Sequence, residues 1–219
     1  MRGLTARRRQ VLGAVLGMLA ATGLGAPAAR TPAAGCGDVE VVFARGSAEA
    51  AGLGTVGRPL VDAVRSALPG TTVTSYAVRY AASTDQSSVG DGATDLTRHV
   101  VAAAGSCPGT LFVLGGYSQG AGVVDIAAGV GGVLGEGEVL PEPVVARVRA
   151  LVVFGNPLRL AGRRLDTAPG AFRDRSLDLC ASGDPVCAGG IDPLAHLRYP
   201  TDGSPVRAAR FVADRIPGH

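Results

Sequence analysis

Short runs of apolar residues alternate along the chain with longer segments in which apolar positions recur at helical spacing. The short runs are rich in β-branched residues and nearly continuous, as in strands buried on both faces of a parallel sheet. These predicted strands occupy residues 39–43, 72–78, 110–114, 150–154 and 176–179. The longer amphipathic segments predict helices. The predicted helices occupy residues 57–68, 92–104, 119–129, 142–149 and 204–216.

This alternation predicts an α/β fold in which a parallel sheet of five strands lies between helices. The chain has 219 residues, of which 47% are hydrophobic, and this length suits one well-buried domain. We therefore expect a single domain at residues 35–219, with a glycine-rich loop at residues 129–138. Little sequence is left for a separate lid, so we expect an open site.

Residues 1–34 have the pattern of a secretory signal peptide and a short leader. Four arginines precede an apolar stretch at residues 11–24, and the small residues that end at Ala28 predict cleavage near that position. Arg8 and Arg9 also fit a twin-arginine export signal. The alternative is an uncleaved N-terminal anchor, but the apolar stretch is short for a membrane span. We expect a secreted protein without a stable membrane span.

All 21 basic residues are arginine, and the formal net charge is +3. Cleavage after Ala28 would remove four arginines and no acidic residue, which leaves 17 basic against 18 acidic side chains. A nearly neutral chain with 4% aromatic residues and no basic cluster argues against a nucleic-acid partner. Because the chain has no lysine, the sequence excludes a P-loop, a Schiff-base lysine and a Ser-x-x-Lys nucleophile pair.

The four cysteines are an even number in a chain with an export signal, which favours two disulfides. Cys180 and Cys187 are close enough in the chain to close a small loop, which would leave Cys36 for Cys107, although four cysteines allow three pairings. A lipid on Cys36 is the alternative, and it would leave Cys107 without a partner. The spacing matches no zinc site, and we expect neither metal nor cofactor.

Gly116, Ser118 and Gly120 form a G-x-S-x-G motif directly after the apolar run at residues 110–114. In this motif a serine stands on a tight turn between a strand and a helix, with its hydroxyl presented to a base. The two glycines leave the space that such a turn needs. Ordinary turns contain similar residues, so the assignment of Ser118 as a nucleophile depends on its partners.

A nucleophilic serine needs a histidine as its base. The chain has three histidines. His99 lies within a predicted helix that precedes Ser118, and His219 is the last residue. His196 lies in a predicted loop beyond the last strand. His196 is therefore the predicted base.

The acid that orients this histidine should follow a late strand and precede the histidine in the chain. Asp184 fits this position and lies between Cys180 and Cys187, where a disulfide would hold its loop. The rival acids are Asp178 and Asp192. A simple Gly-Asp-Pro turn, in which the carboxylate bonds its own backbone, is the structural alternative.

Ester or amide chemistry at a serine also needs hydrogen-bond donors for the oxyanion of the tetrahedral intermediate. One should be the backbone N–H of Gln119, directly after the nucleophile. The second should come from residues 44–49 after the first strand, where Ser47 offers both an N–H and a hydroxyl. Ser47 also fits an N-cap or an ordinary polar loop position.

Three motifs in this order resemble the cutinase family. They are residues 44–49 followed by Gly54, residues 115–120, and Cys180 to Cys187 with Asp184 and the following His196. The resemblance extends from Cys36 to about Tyr199, and it is closest to the bacterial cutinase-like secreted esterases.

The resemblance implies a three-layer α/β/α sandwich, a lidless α/β-hydrolase that cleaves carboxylic esters. It also implies roles for particular residues. These are Ser118, Asp184 and His196 as the catalytic triad, Ser47 and Gln119 as the oxyanion hole, and Cys36–Cys107 and Cys180–Cys187 as disulfides.

We accordingly expect a secreted serine esterase, a monomer, that acts on small-molecule, lipid or polyester esters. A lipase, phospholipase or acyltransferase with the same three side chains is the nearest alternative. A non-catalytic binding protein on the same fold is the alternative from another class. Such a protein would be expected to lack one of the three side chains, and all three are present.

Overall fold

A computed structural model describes residues 35–130, 135–168 and 170–218. The expected signal peptide and leader, residues 131–134 of the expected glycine-rich loop, and His219 lie outside the described residues. No helix in the described part of the chain combines the length and the apolar character that crossing a membrane requires.

Five parallel strands form one sheet. They are β1 (Val39–Ala44), β2 (Val73–Ala77), β3 (Leu111–Tyr117), β4 (Val148–Phe154) and β5 (Ser176–Leu179), arranged in the order β2-β1-β3-β4-β5. The predicted α/β fold with a five-stranded parallel sheet is confirmed. The chain runs outward from β1 to β2 and then crosses back to β3 on the other side of β1. Such a reversal opens a crevice at the carboxyl ends of the two strands, where ligands commonly bind.

The described residues contain six α-helices. They are α1 (Gly54–Ala67), α2 (Val89–Ser106), α3 (Gln119–Ala127), α4 (Glu142–Val145), α5 (Pro193–Leu197) and α6 (Ser204–Ala213). Five of them match predicted helices, with ends that differ by a few residues. The sequence did not predict α5, nor the two 3-10 segments at Pro157–Ala161 and Arg173–Arg175.

One predicted helix was too long. The prediction ran through residues 142–149, but α4 ends at Val145 and β4 begins at Val148. Val148 pairs with Phe112 of β3, and its side chain is fully buried. The hydrogen bonds and burial that β3 offers therefore decide the conformation here, because local spacing of valines fits a helix and a strand equally well.

The sheet lies between two layers of helices, with one apolar cluster on each face. Helices α1 and α6 pack against one face, and α2 and α3 pack against the other. Strand β1 shows the alternation directly, because Val41 and Phe43 join the first cluster while Val42 joins the second. All residues of α3 are buried, so this helix is held from several sides. The residues at its start are therefore placed rigidly.

Candidate active site

Ser118 occupies the turn between β3 and α3. Its φ is 54° and its ψ is −117°, a backbone conformation that residues with a Cβ rarely adopt. A Cβ on Gly116 would lie 2.0 Å from the carbonyl oxygen of Gly120, and a Cβ on Gly120 would lie 2.0 Å from the carbonyl oxygen of Ala44. Glycine is therefore required at both positions. This is the tight strand-to-helix turn that the G-x-S-x-G motif predicts.

Two backbone hydrogen bonds fix this turn. The N–H of Ser118 donates to the carbonyl oxygen of Phe154 at the end of β4, with a distance of 2.8 Å. The N–H of Ala121 donates to the carbonyl oxygen of Ser118 at 2.9 Å. Ser118 is partly exposed, whereas the residues on either side of it are buried. The hydroxyl is thus the accessible part of a rigid turn.

His196 lies beside Ser118, as the sequence predicts, although its local structure is a short helix rather than the predicted loop. Nε2 of His196 is 2.9 Å from Oγ of Ser118. His196 is the fourth residue of α5, and the side chain of Asp192 caps this helix by accepting from the N–H of Leu194 at 3.0 Å. Pro193 at the first helical position fixes the entry to α5.

Asp184 forms a hydrogen bond with the ring nitrogen of His196 that faces away from Ser118. Its Oδ2 is 2.8 Å from Nδ1 of His196 and accepts from the hydroxyl of Tyr199 at 2.6 Å. Its Oδ1 accepts from the N–H of Val186 at 2.7 Å. Both carboxylate oxygens are therefore occupied, and the carboxylate is oriented toward the imidazole.

Burial and hydrogen bonding act in opposite directions on Asp184, which is fully buried. Burial alone would raise the pKa of its carboxyl group. The hydrogen bonds from Tyr199, His196 and the N–H of Val186 outweigh this effect and lower the pKa of Asp184 below its ordinary value. The group is consequently an ionised carboxylate at neutral pH, as a partner of a protonated imidazole must be.

The rival acids take part in other interactions. Asp178 lies on β5, where Oδ1 pairs with the guanidinium of Arg159 at 3.3 Å. Asp192 caps α5 and forms an ion pair with Arg198. Neither of these contacts involves the imidazole of His196.

His99, the alternative histidine within the described residues, lies on α2. Its Nε2 is 3.1 Å from Oε1 of Glu40 on β1. Its ring stacks on the ring of Tyr76, with a centroid distance of 3.5 Å. These contacts hold α2 against β1 and β2, away from the carboxyl ends of β1 and β3.

Ser47 stands in the loop after β1, and the buried side chain of Arg45 organises this loop. Nε of Arg45 donates to the carbonyl oxygen of Glu49 at 2.8 Å, and NH2 donates to the carbonyl oxygen of Tyr80 at 2.8 Å. One guanidinium thus joins the loop that contains Ser47 to the segment after β2. Its planar arrangement of donors suits this task.

The carboxylate of Glu49 closes the same loop from the other side. Oε2 accepts from the N–H of Gly46 at 2.6 Å, and Oε1 accepts from the N–H of Thr55 at 2.7 Å. Thr55 lies in the first turn of α1, where an acidic group is favourable because the helix N–H groups there have no acceptor within the helix. Ser47 is therefore held between β1 and α1.

Ser47 and Gln119 follow the adjacent strands β1 and β3 at the same edge of the sheet. Nε2 of Gln86 donates to Oγ of Ser47 at 3.0 Å, which leaves the hydroxyl proton of Ser47 to donate elsewhere. Gln119 is the first residue of α3, and N–H groups in a first helical turn have no acceptor within the helix. Nε2 of Gln119 donates to the carbonyl oxygen of Ser83 at 2.8 Å, which fixes this side chain.

Both predicted disulfides are present. Cys36 is bonded to Cys107, and Cys180 is bonded to Cys187. The first joins the start of the domain to the end of α2, and the second encloses the loop that contains Asp184. Four cysteines are thus fully paired within the described residues.

One group of three possible metal ligands lies close together in the described part of the chain. It consists of Cys180, Asp184 and Cys187. The two sulfurs are bonded to each other, and Asp184 accepts hydrogen bonds on both oxygens. This group is therefore suited to holding a loop rather than an ion.

The sequence did not reveal the residues that support these side chains. Tyr199 contacts Asp184, and Tyr117 donates from its hydroxyl to the carbonyl oxygen of His196 at 2.7 Å. Gly155 leaves space for the imidazole. Little in the sequence distinguishes these residues. Tyr199 resembles an ordinary aromatic core residue three positions after His196, and Gly155 is one glycine among 33.

The sequence and the fold of this chain are similar to those of known proteins. A sequence model of the cutinase family matches residues 35–216. A cutinase from Kineococcus radiotolerans is 49% identical over 188 residues, which cover 84% of this chain and 63% of that protein. The chain thus matches less than two thirds of the length of that relative.

Two further matches extend the comparison. Phospholipase Culp4 from Mycobacterium tuberculosis is 44% identical over 200 residues, which cover 90% of this chain and 87% of the relative. The solved structure of Trichoderma reesei cutinase in complex with a C11Y4 phosphonate inhibitor superposes with a TM-score of 0.65. It is 32% identical, and the match covers 83% of this chain and 77% of that chain. The match to the family model, the identity with these relatives and the shared fold together show that the chain belongs to the cutinase family.

Proposed function

We propose that this protein is a secreted serine esterase that hydrolyses carboxylic esters through an acyl-enzyme on Ser118. The observation that carries the proposal is the unbroken line of hydrogen bonds from Asp184 through His196 to Ser118, with distances of 2.8 and 2.9 Å. A base within hydrogen-bond distance makes a serine hydroxyl nucleophilic, and an ionised acid behind the base stabilises its protonated form.

In the first half of the reaction, Oγ of Ser118 attacks the ester carbonyl carbon while Nε2 of His196 takes the hydroxyl proton. The carbonyl oxygen becomes an oxyanion, which the N–H and hydroxyl of Ser47 and the N–H of Gln119 stabilise. The tetrahedral intermediate collapses when the C–O bond to the alcohol breaks. The proton on His196 passes to the departing alkoxide, and the acyl group stays on Ser118.

In the second half, a water molecule takes the place of the alcohol. Nε2 of His196 accepts a proton from this water, whose oxygen attacks the acyl carbon, and the same donors stabilise the second oxyanion. The bond to Oγ of Ser118 then breaks, and the proton returns to Oγ as the carboxylic acid leaves. Each step uses side chains and backbone groups of this chain together with water.

Exposed apolar side chains beside His196 favour esters with an apolar portion. Ile191, Leu194 and Leu197 are 97%, 64% and 63% exposed. Ile191 precedes α5, the helix that contains His196, while Leu194 and Leu197 are the second and last residues of that helix. Contiguous exposed apolar side chains commonly mark binding surfaces. We therefore expect esters with a long acyl chain, lipids or polyesters to be better substrates than acetate esters.

The second candidate is a lipase or phospholipase that uses the same three side chains. The apolar residues beside His196 favour it, and the relative that is 44% identical is named a phospholipase. A panel of p-nitrophenyl esters of increasing chain length, a triglyceride, a phospholipid and a polyester separates the candidates. Preference for the phospholipid over p-nitrophenyl esters of the same chain length would favour the phospholipase.

The decisive test uses Ser118→Ala beside Ser66→Ala, which removes an exposed serine hydroxyl on α1. We expect Ser118→Ala to abolish hydrolysis of p-nitrophenyl butyrate and labelling by a fluorophosphonate, while Ser66→Ala keeps both. Thermal unfolding of both variants checks that the fold is intact. Turnover by folded Ser118→Ala would refute the mechanism, and an unlabelled, inactive wild-type protein would favour a binding protein on this fold.

Secretion is part of the proposal, and two observations support it. The sequence of residues 1–34 is typical of a signal peptide, and both disulfides suit an oxidising compartment. We expect expression of the full chain in a secreting bacterial host to release a monomer that begins near residue 29. N-terminal sequencing and size-exclusion chromatography of the culture medium test both statements.

A further inference from the structure

Tyr199 is a buried polar side chain to which the proposed mechanism gives no role. It is fully buried, and it lies three residues after His196, just beyond α5. Its hydroxyl donates to Oδ2 of Asp184 at 2.6 Å and accepts from the N–H of Ala181 at 2.9 Å. The same carboxylate oxygen also accepts from His196. Tyr199 and His196 therefore share one oxygen of Asp184.

The hydroxyl of Tyr199 is fixed as a donor. Burial, and then the hydrogen bond to Asp184, raise the pKa of Tyr199 above its ordinary value, so the phenol keeps its proton. Its lone pair faces the N–H of Ala181, which leaves the proton to face the carboxylate. Its ring is fixed as well, because it packs edge-on against Phe154 and Tyr117 at centroid distances of 6.0 and 5.9 Å.

We propose that Tyr199 is a positioning residue that sets the strength of His196 as a base by sharing the negative charge of Asp184. The inference rests on the proposed function. A donor on Oδ2 draws electron density away from the hydrogen bond that the same oxygen makes with Nδ1 of His196. Protonated His196 is then stabilised less than it would be by an unshared carboxylate, so removal of the Tyr199 hydroxyl should favour the protonated imidazole.

The other titratable groups around this pair are few among the described residues. On β3, burial raises the pKa of Tyr117, and the negative charges of Glu49 and then Asp184 raise it further. Asp202, in the segment before α6, adds a small contribution of its negative charge to the raised pKa of Tyr199, after burial and Asp184. The sulfur of the disulfide-bonded Cys187 lies 3.4 Å from the hydroxyl of Tyr199 and does not titrate.

Tyr117 provides a matched comparison, because its hydroxyl donates to a neutral acceptor, the carbonyl oxygen of His196, at 2.7 Å. Tyr199→Phe and Tyr117→Phe each remove one buried hydroxyl beside the same histidine. Only the first removes a donor from Asp184. A merely structural role for both tyrosines would give both variants the same pH dependence.

The test is the dependence of kcat/KM on pH for a p-nitrophenyl ester. We expect Tyr199→Phe to move the acidic limb to higher pH by about half a unit to one unit, with little change in KM. We expect Tyr117→Phe to lower kcat while its acidic limb stays in place. The downfield proton NMR signal of the Nδ1–H of His196 should shift in Tyr199→Phe and remain unchanged in Tyr117→Phe.

Equal pH profiles for wild type and folded Tyr199→Phe, with Ser118→Ala inactive, would overturn this inference and leave the proposed function intact. Turnover by Ser118→Ala would instead overturn the proposed function. If Tyr199→Phe does not fold, a difluorotyrosine at position 199 keeps the ring and makes the hydroxyl a stronger donor. The acidic limb should then move to lower pH, and movement to higher pH would contradict the inference.

Discussion

Gly155 forms the wall against which the imidazole of His196 packs. A Cβ on Gly155 would lie 2.7 Å from Cε1 and 2.9 Å from Nδ1 of His196. Gly155 has a φ of 61°, and its N–H donates to the carbonyl oxygen of Leu179 at 2.9 Å. It follows Phe154, whose carbonyl oxygen accepts from the N–H of Ser118. The same few residues at the end of β4 therefore position both the hydroxyl of Ser118 and the imidazole of His196.

We expect Gly155→Ala to lower kcat/KM for an ester substrate by about a hundredfold, because the added methyl displaces the imidazole from Ser118. A left-handed backbone at a residue with a Cβ also costs about 1–2 kcal/mol of stability. Gly162→Ala is the control, since Gly162 has a φ of 71° and no atom within 4 Å of an added Cβ. It should lose similar stability and keep full activity. Equal activity in the two variants would show that the contact with His196 is unimportant.

Ser47 and Gln86 should behave as one unit, because the amide of Gln86 acts on the reaction through the hydroxyl of Ser47. We expect Ser47→Ala to lower kcat by about a hundredfold, as loss of one oxyanion donor does. Gln86→Leu should lower kcat about tenfold when Ser47 is present and should lower it no further in the Ser47→Ala background. Steady-state kinetics of the two single variants and the double variant measure this coupling. Additive losses would mean that Gln86 acts independently of Ser47.

Loss of the first disulfide should mainly lower stability, and loss of the second should mainly lower activity. Chain-entropy estimates for closed loops give about 4 kcal/mol for Cys36–Cys107, separated by 71 residues, and about 2 kcal/mol for Cys180–Cys187, separated by 7. Replacing the first pair by alanine should therefore cost more free energy of unfolding, with little effect on kcat. Replacing the second should cost less stability but lower kcat, because it releases the loop of Asp184. Denaturant unfolding and kinetics of both double variants test this crossed pattern.

The three side chains proposed to carry the reaction could be found from sequence, because each occupies a position that local chemistry marks. Ser118 lies between two glycines that its turn requires, and Asp184 lies between two cysteines that enclose its loop. His196 followed by elimination, because His99 falls within a helix. Motifs of this kind record short-range geometry, which is why the strand, turn and helix around Ser118 were also predicted correctly.

The supporting residues could not be found in this way, because their contacts join distant parts of the chain. Gly155 meets His196 across 41 positions of sequence, and nothing in its neighbourhood distinguishes it from other glycines. Tyr199 looks like a core aromatic residue until its hydroxyl is placed on Asp184. The boundary between α4 and β4 was predicted wrongly for a related reason, because pairing with β3 decides where the strand begins and local spacing does not.

Asp125 is a buried carboxyl group on α3, two helical turns after Ser118. It is fully buried, and its Oδ1 accepts from Nδ2 of Asn156 at 3.3 Å. The same amide donates to Oδ2 of Asp178 at 3.2 Å. Oδ2 of Asp125 has no hydrogen-bond partner within the described residues. Burial, with a contribution from the charge of Asp178, raises the pKa of Asp125 well above its ordinary value.

The raised pKa predicts that Asp125→Asn stabilises the protein at neutral pH. The folded protein holds the proton of Asp125 more tightly than the unfolded chain, so stability is fully present below the unfolded pKa and is lost as pH rises toward the folded pKa. Asparagine keeps the size and cannot ionise. The two proteins should have similar free energies of unfolding near pH 4, and the advantage of Asp125→Asn should grow above it by up to about 1.4 kcal/mol per pH unit. Urea unfolding at several pH values measures this difference, and a constant difference from pH 4 to 8 would contradict a protonated Asp125.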